Sequence, residues 1–142
     1  MSKQILNTLF EEVKECKENK CIVDKQNIEY IYKPDNGLKN SKIQKELFGT
    51  VIPKLCDCIV KKEDLILLEI KCGKVTNRIL KEIIEQLTNV AKILNTANIS
   101  FNKVVFIYDS FDNAKLRQTI INTQIYGKRL LNIQFKNKAV EI

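Results

Sequence analysis

The chain has 142 residues, 44% hydrophobic and 29% charged, which is typical of one globular domain, and no apolar run approaches the ~20 residues of a membrane span. Its net charge of +7 favours a polyanionic partner, because each phosphate neutralised by lysine or arginine releases counterions. The chain has no histidine, which excludes Ser-His-Asp and Cys-His mechanisms, so any catalysis must use carboxylates, lysine, cysteine or tyrosine.

The first third of the sequence predicts a helix, a strand region and a second, short helix. Residues 5–18 place their apolar side chains on one helical face. Residues 21–32 alternate like a strand or a hairpin, and residues 33–37 have the composition of a turn. A helix capped by Ser41 is expected to extend to Phe48. The N-terminus lacks the layout of a secretion signal, so we expect a cytoplasmic protein without a membrane partner.

The remainder of the chain predicts alternating strands and helices. We expect strands over residues 56–60 and 65–71, then an amphipathic helix over residues 76–94. Residues 103–108 are apolar on both faces and predict a central strand. A helix over residues 113–126, ended by Gly127, and a strand over residues 130–136 complete the prediction. This order indicates one α/β domain spanning residues 1–142, with a central mixed sheet covered by helices on both sides.

The five cysteines predict buried free thiols. Their number is odd and no secretion signal accompanies them, which disfavours a disulfide framework. The Cys56-x-Cys58 pair has poor spacing for a structural zinc site, in which two to four residues usually separate the ligands. The cysteines are Cys16, Cys21, Cys56, Cys58 and Cys72.

Charged side chains at the end of an apolar strand are the most informative feature of the sequence. Glu69 and Lys71 are two residues apart, so they share one face of that strand. A three-residue loop over residues 62–64 would set Asp57 opposite Glu69 on the same face, whereas a loop of two or four residues would not. Such loops often end in a residue with positive φ, which Asp64 tolerates. The sequence therefore permits this register without requiring it.

Two carboxylates and a lysine on one face would form a site for a hard divalent cation. Asp57 and Glu69 would hold Mg²⁺ or Mn²⁺ together with the main-chain carbonyl of Ile70. The cation would polarise a phosphate and lower the pKa of a bound water. Lys71 would orient or deprotonate that water, or neutralise charge on phosphorus. The alternative is an ordinary edge strand with a solvated Glu69–Lys71 pair.

The pattern Asp57-x₁₁-Glu69-x-Lys71 on a strand–turn–strand, followed by an amphipathic helix and an apolar strand, resembles the PD-(D/E)xK nuclease superfamily. The resemblance implies a restriction endonuclease-like fold, with catalytic Asp57, Glu69 and Lys71 and metal ligands Asp57, Glu69 and Ile70. It also implies Mg²⁺-dependent DNA cleavage. The small size suits a structure-selective enzyme similar to Holliday junction resolvases, which act as homodimers.

The sequence departs from the family pattern in several places. The proline that usually precedes the aspartate lies four residues upstream, as Pro53. A Gln-x₃-Tyr motif of RecB-like members is represented only by Gln86, because Val90 replaces the tyrosine. The extra glutamate that many members carry on the first helix cannot be chosen among several candidates, and these are Glu11, Glu12, Glu15 and Glu46.

Basic residues near the motif predict a nucleic-acid-binding surface. Lys74, Arg78 and Lys81 follow the motif closely, with the last two one helical turn apart. Lys54 lies near the motif as well, and a second basic cluster comprises Lys128, Arg129, Lys136 and Lys138. DNA is the expected partner, but the sequence does not discriminate DNA from RNA. A non-catalytic nucleic-acid-binding or assembly protein of the same fold, an RNA-directed nuclease and an RNase H-like nuclease stay open as alternatives.

Overall fold

A computed structural model describes residues 2–142. It contains four α-helices and nine strands over those residues, with a short 3₁₀ helix at Pro34–Asn36. The helices are α1 (Ser2–Leu9), α2 (Ser41–Phe48), α3 (Asn77–Thr96) and α4 (Lys115–Ile121). The strands are β1 (Glu12–Val13), β2 (Lys17–Glu18), β3 (Cys21–Ile22), β4 (Tyr30–Tyr32), β5 (Cys58–Lys61), β6 (Leu65–Val75), β7 (Lys103–Phe111), β8 (Gln124–Ile125) and β9 (Lys128–Gln134).

Seven of the strands form one mixed sheet in the order β1-β4-β5-β6-β7-β9-β8. Strands β4, β5 and β6 are antiparallel neighbours, whereas β6, β7 and β9 run parallel. Parallel neighbours need long crossovers, and here α3 and α4 lie in the two connections. The predicted α/β domain with a central mixed sheet flanked by helices is confirmed.

The sheet separates two hydrophobic layers of different construction. The buried side chains of α1, α3 and α4 all lie in one layer, and apolar residues of α2 pack against it. The opposite face is covered by the hairpin β2–β3 and by the C-terminal segment, including Val140. The prediction of helices on both sides was wrong, because the chain uses short non-helical segments to cover the second face.

The first helix is much shorter than predicted. It ends at Leu9, and residues 12–13 instead pair with β4 at the edge of the sheet. The apolar residues that suggested one continuous helical face separate into the two layers. Leu6 and Leu9 lie in the helical layer, whereas Cys16 lies in the other. The helical spacing of apolar residues in the sequence therefore grouped residues that lie on opposite faces of the sheet.

The region predicted as a strand or a hairpin contributes to two different pairings. Residues 21–22 pair with residues 17–18 in the separate hairpin, whereas residues 30–32 pair with β1 and β5 in the main sheet. The hairpin loop includes Asn19, whose backbone has a positive φ of 53°, a conformation that asparagine tolerates better than most residues. A hairpin does form here, but it begins upstream of the predicted segment.

Helices α2 and α3 lie where the sequence predicts them, and a side chain caps the N-terminus of each. The cap of α2 is Asn40 rather than Ser41, since its side chain accepts a hydrogen bond from the backbone N–H of Ile43. Thr76 caps α3 in the same way through the N–H of Ile79. Among residues 2–142, no helix combines the length and apolar character needed to cross a membrane.

The last helix also ends earlier than predicted. It stops at Ile121, and residues 124–125 form a hairpin with β9. The two connecting residues, Tyr126 and Gly127, have φ values of 49° and 78°. Two successive residues with positive φ are the signature of a type I′ hairpin turn. Gly127 therefore serves a hairpin and does not terminate a helix.

Candidate active site

Strands β5 and β6 meet in the register that places Asp57 beside Glu69. Lys61 pairs with Leu65 and Cys58 with Leu68, so a three-residue loop joins the strands, and the same register continued by one residue sets Asp57 opposite Glu69. The N–H of Lys62 closes this loop on the carbonyl of Asp64 at 3.0 Å. Of the loop lengths that the sequence left open, the structure has the one that places Asp57 opposite Glu69. Asp64 does not have the positive φ that is common at the end of such a loop.

The carboxyl groups of Asp57 and Glu69 each accept a hydrogen bond from a main-chain N–H across the two strands. The N–H of Asp57 donates to Oε1 of Glu69 at 2.9 Å. In return, Oδ2 of Asp57 accepts from the N–H of Ile70 at 2.8 Å. Side-chain carboxylates thus accept the hydrogen bonds of the Asp57 and Ile70 N–H groups, just before β5 begins. These two bonds fix both carboxyl groups between the strands.

Both carboxyl groups are nearly excluded from water, with Asp57 only 7% and Glu69 only 5% exposed. Burial raises the pKa of Asp57 to about 6, although the hydrogen bond from Ile70 opposes the shift. Burial, followed by the charge of Asp57, raises the pKa of Glu69 to about 10. At neutral pH the pair therefore retains a proton that two solvated carboxyl groups would release.

Two further carboxylates approach Asp57 from other parts of the chain. Oxygen atoms of Glu18, Asp35 and Asp57 lie within 4.8 Å of one another. Glu18 is half-buried on β2, and Asp35 is exposed in the 3₁₀ helix that follows β4. Sequence reasoning missed both residues, because neither has a fixed spacing from the motif. The composition around Asp35 predicts a turn but does not indicate the pairing of β4 with β5 that brings this residue to the site.

Lys33 supplies positive charge to this acidic group. Its Nζ lies 3.3 Å from a carboxylate oxygen of Asp35 and 3.6 Å from one of Glu18. Burial lowers the pKa of Lys33, but the charges of the surrounding carboxylates outweigh burial and the net shift is upward. Lys33 makes no ion pair with either Asp57 or Glu69. Among residues 2–142, no basic side chain forms an ion pair with Asp57 or Glu69.

Lys71 lies two residues beyond Glu69 on the same strand, so the two share a face of the sheet. Its side chain is half-buried, and it pairs with Tyr108 of the parallel strand β7. The strand is irregular directly afterwards, because the register shifts between Lys71 and Lys74. Gly73 within this bulge has a φ of 114°, which favours glycine. The bulge ends the regular face of the strand beside the candidate site.

The four glutamates considered as extra ligands lie outside the acidic cluster of Glu18, Asp35 and Asp57. All four are exposed, and Glu46 lies on α2, away from that cluster. The other three have partners elsewhere, which are Asn36 for Glu11, Lys3 for Glu12 and Lys25 for Glu15. Glu18 and Asp35, rather than any of these four glutamates, are the residues that approach Asp57.

A groove of about 530 Å³ opens beside the acidic cluster. Its lining includes Asp35, Lys54 and Gln86. The side-chain amide of Asn89 donates to the carbonyl of Lys54 at 3.0 Å, so α3 holds the segment that leads into Asp57. Asp35 is the member of the acidic cluster that contributes to the lining of this groove.

The predicted nucleic-acid-binding residues are exposed. Lys74 lies at the end of β6, and Arg78 and Lys81 lie on the first turns of α3. Among the ion pairs of residues 2–142, none involves these three side chains. The second basic cluster is exposed as well, at the far edge of the sheet and beyond it.

The cysteines differ in part from the prediction. Cys16 and Cys58 form a disulfide that joins the segment before β2 to β5. The prediction of free thiols was wrong for this pair, because the fold brings two residues 42 positions apart to a Cα–Cα distance of 6.1 Å. Cys21, Cys56 and Cys72 are free.

Comparison of the chain with protein-family models, with curated proteins and with solved structures gave no match in any of the three.

Proposed function

We propose that the chain is a metal-dependent nuclease that hydrolyses phosphodiester bonds in DNA. The observation that carries this proposal is the buried contact of Asp57 with Glu69 across adjacent strands. Buried carboxyl groups in mutual contact are costly unless a cation or a proton compensates them. Perturbed carboxyl pairs of this kind concentrate at functional sites.

The side chains present suit a hard divalent cation such as Mg²⁺ or Mn²⁺. Such cations prefer carboxylate and carbonyl oxygens, and the site offers carboxylates from three separate segments of the chain. Asp57 and Glu69 would hold the cation, with the carbonyl of Ile70 as the proposed main-chain ligand and Glu18 or Asp35 as additional ligands. The bound cation would polarise the scissile phosphate and acidify a water molecule.

Lys71 contributes positive charge on the same face as Glu69. Its ammonium group would bind a non-bridging phosphate oxygen and neutralise the negative charge that develops on phosphorus. It could also orient the attacking water, because a lysine donates three hydrogen bonds. The loss of Lys71 would therefore reduce turnover more than it reduces binding of the nucleic acid.

The order of elements around this site supports the restriction endonuclease-like interpretation. A helix, an antiparallel trio of strands, a crossover helix and a parallel strand follow in the order α1, β4–β6, α3 and β7. The exposed and unpaired side chains of Lys74, Arg78 and Lys81 suit contacts to phosphates. Within this class we favour a structure-selective enzyme similar to Holliday junction resolvases, acting as a homodimer.

The test is cleavage of labelled four-way-junction, plasmid, linear duplex and single-stranded DNA with Mg²⁺ or Mn²⁺. We expect metal-dependent cleavage of at least one substrate, most rapidly of the junction. Lys71→Met should lower the rate about 100-fold, since loss of one preorganised charge-stabilising group commonly costs that much. Lys92→Met, which removes an exposed charge on α3, is the matched control and should cleave at the unchanged rate.

The outcomes also separate the rival functions. Cleavage of RNA without cleavage of DNA would identify an RNA-directed nuclease. Binding of DNA with no cleavage under either metal would favour the non-catalytic alternative. Cleavage that Lys71→Met leaves intact would contradict the assignment of this site.

A further inference from the structure

Two pairs of sulfur atoms lie between the hairpin β2–β3 and the strands of the candidate site, and one of these pairs is bonded. The disulfide of Cys16 and Cys58 joins the start of the hairpin to β5, next to Asp57. On the other strand of the hairpin, Sγ of Cys21 lies 2.7 Å from Sγ of Cys72 on β6, next to Lys71. That separation exceeds the length of an S–S bond, about 2.05 Å, by about 0.7 Å.

We propose that Cys21 and Cys72 are a second, reversible disulfide-forming site whose co-reactant is a low-molecular-weight disulfide. The two sulfur atoms already face each other across the hairpin and β6, so bond formation needs a local adjustment only. This modification site stands on geometry alone, whereas its meaning for catalysis rests on the proposed function.

The two thiols differ in accessibility in a way that suits sequential exchange. Cys72 is half-buried, whereas Cys21 is completely buried. The sulfur of Cys72, as thiolate, would attack the small disulfide, form a mixed disulfide and release one small thiol. The sulfur of Cys21 would then attack the Cys72 sulfur and release the second small thiol. Two protein thiols are oxidised, their protons pass to the departing thiolates, and one small disulfide is reduced to two thiols.

A second disulfide would affect the candidate site because the hairpin β2–β3 contains Glu18. Glu18 lies on β2, and its carboxylate approaches Asp57. The thiol of Cys72 already donates to the main-chain carbonyl of Glu18 at 3.4 Å. With both sulfur links closed, each strand of the hairpin would be fastened to a strand of the active site. The redox state of Cys21 and Cys72 would thereby govern how firmly Glu18 is held beside Asp57.

The experiment counts thiols in the intact native protein exposed to glutathione disulfide. After the reaction the protein is alkylated under denaturing conditions, digested with trypsin and analysed by mass spectrometry. Free thiols should fall from the three present at the start to one, that of Cys56. A cross-linked peptide should appear that joins residues 21–25 to residues 72–74, separate from the peptide that joins residues 15–17 to residues 55–61. Treatment with a dithiol reductant under native conditions should reverse the new cross-link.

Cys72→Ser is the matched control, and it should keep both remaining free thiols under the same oxidation. Three free thiols after oxidation of the wild-type protein, or a persistent mixed disulfide on Cys72 without the cross-link, would overturn the proposal. Thiol counting does not depend on nuclease activity. The failure of this inference and the failure of the proposed function are therefore separate results.

Discussion

Substitution of Glu69 by glutamine is expected to abolish metal-dependent cleavage and, in the same protein, to increase the stability of the metal-free fold. Activity falls while stability rises because the carboxyl group of Glu69 would serve catalysis but destabilises the metal-free fold. As a carboxylate it would bind the cation that catalysis needs. As a buried acid it resists the ionisation that the unfolded chain undergoes freely at neutral pH.

The expected loss of activity follows from what the cation supplies. Metal ions commonly contribute several kcal/mol of transition-state stabilisation, and each 1.36 kcal/mol corresponds to a tenfold rate. Removal of a ligand at the buried centre should therefore reduce the cleavage rate at least about 100-fold. Initial rates on the preferred DNA substrate at fixed Mg²⁺ concentration measure this loss.

The expected gain in stability follows from the hydrogen bonds that glutamine can keep. Its side-chain oxygen can accept the N–H of Asp57, as Oε1 of Glu69 does at 2.9 Å. Its amide can donate to the carboxylate of Asp57, and no ionisation is suppressed. We expect an increase of about 1–2 kcal/mol in the free energy of unfolding at pH 8, within the range that single stabilising substitutions commonly give.

Urea denaturation in the presence of a chelator measures the gain. Glu63→Gln is the matched control, because Glu63 is an exposed glutamate in the loop between β5 and β6. It should change neither the stability nor the activity. A Glu69→Gln protein that is less stable than the wild type, or that cleaves at the wild-type rate, would contradict this interpretation of the carboxyl pair.

The metal-free protein is expected to lose stability as the pH rises from 5 to 8. In this interval the folded protein keeps a proton on Glu69, whose pKa is raised from 4.5 to about 10, whereas the unfolded chain releases it. The folded state thus binds more protons than the unfolded state, and stability must fall with increasing pH. Asp57, raised from 3.8 to about 6, adds to the fall at the acidic end. One proton difference gives a slope of about 1.4 kcal/mol per pH unit at most.

The amino-acid composition simplifies the interpretation of this pH dependence, because no histidine side chain contributes to it. The chain has no histidine, and histidine is the side chain that ordinarily titrates between pH 5 and 8. Urea unfolding at four pH values, again with a chelator, gives the slope. Glu69→Gln should flatten the profile above pH 6. A stability that stays constant or rises toward pH 8 would show that the two carboxyl groups ionise freely in the folded protein.

The strands and helices with the simplest patterns were the most predictable parts of the fold. The long helix α3 has an uninterrupted apolar face and a capping threonine, and β7 is apolar on both faces because it is covered on both. The ends of the chain were less predictable. Val13 and Cys16 continue the period of α1 but belong to the other core layer, and no local pattern records which side of a sheet a residue will cover.

In the candidate site too, residues close in sequence were predictable, whereas residues brought in by tertiary contacts were not. Glu69 and Lys71 lie on β6, and Asp57 directly precedes β5, which a short loop joins to β6. Strand alternation and loop length were therefore enough to relate the three residues. Glu18 and Asp35 reach the site through the packing of a separate hairpin and through the pairing of β4 with β5. Their positions depend on tertiary contacts that spacing along the sequence does not encode.

Calorimetric titration of the protein with Mg²⁺ and with Mn²⁺ tests most directly whether the Asp57–Glu69 pair binds a divalent cation. Titrations at pH 7 in two buffers of different ionisation enthalpy also count the protons released. We expect saturable binding that releases about one proton, since ligands must deprotonate to bind metal. The affinity should increase toward pH 8. Glu69→Gln should abolish the binding. Absence of saturable binding, or binding that Glu69→Gln leaves unchanged, would contradict a cation site at this pair.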